Sequence, residues 1–166
     1  MYDLRIVINR CGVLTGPWQM GKVDQGFVVL WAARHLYGGA LRYMGFGGRG
    51  LQVRDILHVQ DLYDLIVRQL TNIETHRECI YNVGGGLSVS VSLAELTRAC
   101  AARVRQPAMV GGEATTGAAD VPYYVTDNTK VTEATGWQPK RTVDTILDDI
   151  FLWLQTERWQ LEPILT

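Results

Sequence analysis

The spacing of apolar positions along these 166 residues changes period several times, and each change marks a new element. Ile6-Val7-Ile8 is a short β-branched run, the pattern of a strand covered on both faces. Residues 12–22 read as a loop, with Gly16-Pro17 as its turn signal. Asp24 is placed to cap a helix running to about Tyr37, and Gly38-Gly39 stops it. That segment is apolar nearly all round, which predicts a buried helix. Residues 41–46 and 52–59 predict two strands joined, hairpin fashion, by the glycine-rich turn over 47–50.

Further along, Asp61 predicts the cap of a helix with Leu62, Leu65, Ile66 and Leu70 along one side. A strand over 80–83 runs into Gly84-Gly85-Gly86. Ser92-Leu93-Ala94-Glu95 is a capping box opening a helix through about Val104. Residues 106–119, rich in Gly, Ala and Thr, predict a loop and the most mobile stretch of the chain. A short helix over 127–135 is closed by Gly136, and a last one starts near Thr142 with Val143, Ile146, Leu147, Ile150 and Leu154 at helical spacing. The mixed order predicts an α/β fold, and the length suits a single domain over residues 1–166.

Composition narrows the functional classes. Apolar residues make up 47% and charged residues 20%, an ordinary globular balance. The net charge is -1 with both signs interleaved, so no basic block exists to release DNA counterions and a nucleic-acid partner is not expected. Cys11, Cys79 and Cys100 form no CxxC pair or Cys/His cluster, which speaks against a structural zinc and for reduced, buried thiols. No apolar core follows a basic start at Met1, and the longest apolar run, over 27–33, is too short to span a bilayer. A soluble, cytoplasmic protein with no membrane partner is the expectation.

Two segments could carry chemistry. Residues 45–50 match G-x-G-x-x-G, but that fingerprint needs a helix to follow and Leu51-Gln52-Val53-Arg54 alternates as a strand, so the match reads as a turn. Residues 52–62 are more specific. Period two puts Gln52, Arg54, Ile56 and His58 on one strand face and Asp55 on the other. An arginine in an apolar frame needs an anionic partner, either another acid of the chain or a bound diphosphate that its guanidinium can grip through two oxygens. His58 reads as a satisfied structural histidine, and Arg10 as structural support at a strand end.

The segment Arg54-Asp55-Ile56-Leu57-His58-Val59-x-Asp61-Leu62 resembles the motif of extended short-chain dehydrogenase/reductases that act on nucleotide sugars, the NAD-dependent epimerase/dehydratase family. Asn9-Arg10-Cys11-Gly12-Val13-Leu14-Thr15-Gly16-Pro17 is similar to that family's strand and R-x-x-x-x-x-G-P loop. Residues 19–26 resemble the loop of its CDP-paratose 2-epimerase (CDP-tyvelose epimerase) branch. Tyr81-Asn82-Val83-Gly84-Gly85-Gly86, Thr126-Asp127-Asn128-x-Lys130-Val131 and Gly136-Trp137-x-Pro139 continue the series in family order across the chain.

The resemblance implies a partial Rossmann-like sheet remnant joined to the family's small, mixed substrate-binding lobe. It also implies binding of a nucleotide sugar, with a CDP-linked hexose favoured by the branch. Arg54 would grip the pyrophosphate, and Gln52, Gln19, Gln25 and Asp24 would line the pocket. Gln19 and Gln25 read equally as loop amides, Asp24 more simply as a helix cap, and Asn82 as satisfying a strand end. The family's catalytic Tyr-x-x-x-Lys pair is not in this sequence: Tyr2 leads to Ile6, Tyr63 to Val67 and Tyr123 to Asp127. The N-terminal NAD fingerprint is likewise missing, so the expectation is no catalytic residue and no cofactor in this chain, NAD being implied only for an absent half. Where relatives carry a further phosphate-binding Arg, this chain has Gly117. A sheet edge near Ile6-Ile8, left without that half, predicts self-association or a partner chain. The alternatives are one half of a split epimerase, active with its partner, and an interaction or structural protein reusing the fold.

Overall fold

The computed structural model describes residues 4–21, 26–118 and 120–166. The elements in chain order are β1 (Ile8–Cys11), β2 (Val13–Thr15), α1 (Phe27–Tyr37), β3 (Leu41–Met44), β4 (Val53–His58), α2 (Val59–Thr71), α3 (Ile73–His76) and β5 (Ile80–Val83). After them come β6 (Ser90–Ser92), α4 (Leu93–Ala101), β7 (Val110–Glu113), β8 (Tyr123–Tyr124), α5 (Thr129–Thr135), α6 (Val143–Thr156) and α7 (Arg158–Leu165). The fold is α/β, with three small sheets among the described residues.

β1 and β5 pair in parallel, Ile8 opposite Ile80, as the short Rossmann-like piece. The central sheet has the order β2-β4-β6 with β8 also on β4; β2 and β8 run parallel to β4, and β6 antiparallel. β3 pairs in parallel with β7. The expected hairpin between β3 and β4 is therefore not formed. Residues 45–50 are instead a link between two sheets, and β4 rather than a helix follows them, as the alternation requires.

β7 lies inside the segment read as a loop. Its glycines are what bring it close: a Cβ at Gly112 would come within 2.6 Å of the Gly48 carbonyl oxygen. Small residues that hide a strand from its periodicity here permit the approach of the 46–48 turn.

Two cores flank β4, because alternate residues point opposite ways. Ile56 joins the larger core with Val29, Leu96, Ile146 and Ile150, while Leu57 joins a smaller one with Leu65, Tyr81, Val83 and Trp137. α1 is buried on nearly all sides, as its composition implies. It opens on Gly26 in the left-handed region; Asp24, the cap read from the sequence, lies outside the described residues. α4 opens with the full capping box, Ser92 Oγ accepting from the Glu95 N–H and Glu95 accepting from the Ser92 N–H, but stops at Ala101.

Two further expectations change. Asp61 does not cap α2; His58 does, its Nδ1 accepting from the Gln60 N–H at 3.0 Å. Asp61 is buried in the first turn and accepts from Arg141 Nη1 at 2.6 Å and from the Lys140 and Arg141 backbone N–H groups at 3.2 and 3.1 Å. The helix side expected to be buried is only half so: Leu65 is enclosed, whereas Ile66 and Leu70 are exposed along with Val59, Tyr63 and Val67. Gln69 takes an inward place instead and exchanges two amide hydrogen bonds with Asn9 of β1, at 2.8 and 2.9 Å.

The β1 run is not covered on both faces. Val7 packs against the smaller core, but Ile6 and Ile8 are 49% and 48% exposed. Nor are all the thiols buried. Cys11 is exposed, Cys79 half-buried and Cys100 fully enclosed, where burial pushes its thiol up to about 12. None of the described helices is long and apolar enough to cross a membrane.

Candidate functional site

The larger core opens into a cavity of about 490 Å³ beside β4. α1 contributes Phe27, Leu30 and Trp31 to its wall; β3 and its flanks contribute Ala40, Leu41, Arg42, Met44 and Phe46. Gln52, just ahead of β4, and Arg54 of β4 also face it, with Val91, Leu93 and Asp120 completing the lining. Mostly apolar walls with a few convergent polar groups are the usual make-up of a small-molecule site.

The walls are held in place. Trp31 stacks on Tyr43 at 6.0 Å between ring centroids, and both donate to Thr97 Oγ1, at 2.8 and 2.7 Å. Thr97 in turn donates to the Leu93 carbonyl at 2.8 Å. The β3 and β4 sides are tied by Gln52 Nε2, which donates to the Met44 carbonyl at 3.1 Å. Its Oε1 is buried without a hydrogen-bond partner among the described residues.

Arg54 is half-buried, and its one hydrogen bond among the described residues goes from Nη1 to the Val53 carbonyl at 2.7 Å. Most of its donors remain for another group. Asp55 faces away, as period two requires. Fully buried, it accepts from the Gly86 N–H at 3.0 Å and braces the glycine loop after β5. A Cβ at Gly84 or Gly85 would meet Asp55 or the Ile56 carbonyl oxygen within 2.2 Å, so the loop must be glycine to lie against β4. Asn128 holds the same loop by accepting from the Gly84 N–H and donating to its carbonyl, at 2.9 and 2.8 Å.

The other expected site residues fare differently. Gln19 is not among the residues lining the cavity; its Nε2 donates to the Leu14 carbonyl at 2.9 Å and its Oε1 is buried without a partner among the described residues. Gln25 and Asp24 lie outside the described residues. Arg10 and Asn82 are exposed on the short sheet. Trp31, Arg42 and Asp120 were not singled out in the sequence; for Trp31 the signal was there, an aromatic in a helix too apolar to be a surface one.

His58 is buried and only partly satisfied, Nδ1 bonded and Nε2 without a hydrogen-bond partner among the described residues. With Nδ1 accepting, its proton sits on Nε2, 3.5 Å from Asp149. Burial holds its pKa below the ordinary 6.5, helped by Arg141; His35 is lowered too, mainly by burial. An unfolded chain therefore takes up protons near pH 6.5 that the fold resists, so stability present above that pH is lost on acidification. The melting temperature is expected to fall between pH 7.5 and 5.5, and His58→Gln to flatten the fall. An unchanged melting temperature over that range contradicts this.

The described residues hold no group of three or more His, Cys, Asp or Glu side chains able to hold a metal. The G-x-G-x-x-G match leads into β4 rather than into a helix, so it is a turn and not a dinucleotide fingerprint.

Comparison with known proteins adds to this geometry. The model of the NAD dependent epimerase/dehydratase family matches residues 1–84. Among characterised proteins, CDP-paratose 2-epimerase of Salmonella typhi is 28% identical over 159 residues, 92% of this chain and 46% of that protein. Among solved structures, Pal from Bacillus thuringiensis superposes with a TM-score of 0.79 at 21% identity, over 93% of this chain and 47% of its own. UDP-glucose 4-epimerase of Thermotoga maritima, solved with UDP-glucose, gives 0.73 at 24% identity over 92% and 46%. These likenesses establish the shared fold, and this chain spans about half the length of each.

Proposed function

The chain belongs to the NAD dependent epimerase/dehydratase family, and from that membership we propose that it is the nucleotide-sugar-binding half of an epimerase acting on a CDP-linked sugar. The observation that carries this reading is Arg54, a half-buried guanidinium on a cavity wall with no carboxylate partner among the described residues. It takes the diphosphate, Gln52 Oε1 accepts from a hydroxyl or amine of the ligand, and Trp31 with Phe27 encloses the apolar side. The order of motifs and the likeness to CDP-paratose 2-epimerase support the choice of base.

NAD supplies the hydride when bound to such enzymes, and the Tyr-x-x-x-Lys pair moves the proton; neither the cradle nor the pair is among these residues. The 166 residues on their own therefore bind without turning over. CDP at a hundred times its dissociation constant should stabilise the chain by about 2.7 kcal/mol, a melting shift of several degrees. Arg54→Ala should remove most of that shift. A wild-type chain unmoved by millimolar CDP leaves the interaction-protein reading ahead.

The exposed β1–β5 face favours a partner in either case. Ile8 and Ile80 on the sheet and Ile6 just before it are exposed, and among the described residues β1 pairs along one edge only. We place there either a second copy or the chain that brings NAD. Light scattering should show concentration-dependent association that Ile8→Lys weakens; a clean monomer at high concentration removes the self-association arm.

A further inference from the structure

This inference rests on the nucleotide-sugar reading and concerns a second cation in the same cavity. Arg42 of β3 lines the wall that Arg54 of β4 lines, although the two strands pair in different sheets. The Arg42 stem passes over Gly111, where a Cβ would stand 3.6 Å from its Cγ, and no ion pair engages its head among the described residues. One carboxylate shares the wall, Asp120, and it is turned back to accept from the Gly117 N–H at 2.8 Å. Position 117 is a glycine and brings no cation of its own to this wall.

The wall thus presents two positive groups against one acid that is already engaged. That surplus suits a dianion spread over two phosphates better than a single phosphate, because one guanidinium grips one phosphate at a time. We propose that Arg42 is the second jaw of a diphosphate clamp and sets the preference for a nucleoside diphosphate over a monophosphate. Arg54 anchors the ligand from β4, and Arg42, on the exposed strand face beside Met44, closes on the outer phosphate. Gln52, tied to Met44, holds the two strands at fixed separation.

Calorimetric titration of the 166-residue chain with CDP and with CMP tests this. The wild type should bind CDP at least tenfold more tightly than CMP. Arg42→Gln should weaken CDP about tenfold and leave CMP within twofold, collapsing the ratio, while Arg54→Gln weakens both. Arg42→Lys, which keeps the charge, should restore most of the ratio, and Asp120→Asn should tighten CDP. A wild-type ratio in Arg42→Gln, with both ligands weakened in Arg54→Gln, overturns the clamp and leaves the nucleotide site standing. Failure of the wild type to bind either nucleotide overturns both.

Discussion

Asp61→Ala is expected to cost about 3–5 kcal/mol, the range for breaking a buried ion pair by deleting one partner. The carboxylate is 1% exposed and meets Arg141 Nη1 together with two backbone N–H groups, from Lys140 and Arg141. Removing it leaves two backbone donors without their acceptor and the half-buried guanidinium with only Asp64 Oδ2, 3.8 Å from Nη1, beside it. The same residue is the means by which the start of α2, next to the cavity strand, is pinned to the segment ahead of α6. For a chain of this size the loss corresponds to a melting shift on the order of 10 °C, measurable by thermal or urea denaturation. A loss under 1 kcal/mol would show that the network relaxes around the gap. Asp61→Asn, which retains an acceptor, should fall between.

Trp137→Ala should do comparable damage by another route. Its ring is 2% exposed and fills the smaller core with Leu57, Leu65, Tyr81 and Val83, so truncation leaves a large cavity worth about 3–5 kcal/mol. Its Nε1 also donates to the Asp61 carbonyl at 2.9 Å. Because both substitutions loosen the same junction, the double variant should be less destabilised than the sum, with a coupling of roughly 0.5–3 kcal/mol. Strict additivity in denaturant titrations would mean that the tryptophan and the ion pair act independently.

How much of this could be read from residues alone depends on the range of the interactions. Local signals served well: the all-apolar α1, the Ser92–Glu95 box and the glycine stops at Gly38 and Gly136 all correspond to observed features. The alternation through Arg54 placed Asp55 and Arg54 on opposite faces, and the structure has them so. Long-range pairing was not legible. β3 seeks β7 rather than its neighbour β4, and β7 carries two adjacent glycines that erase its period. Asp61 looked like a cap because capping is the common use of an aspartate there; its real partners lie about 80 positions away, beyond any local rule. The cavity itself was half visible. Gln52 and Arg54 came from a motif, whereas Arg42 and Asp120 join it only through tertiary packing.

The placement of β4 has a wider consequence. One six-residue strand lends Ile56 to one core and Leu57 to the other while Arg54 stands on the cavity wall. Neither core can come apart without disturbing the strand that the other leans on, so the cavity wall shares the cooperativity of both cores. Its backbone amides are therefore expected to exchange with solvent only on global opening, which native-state hydrogen exchange would measure.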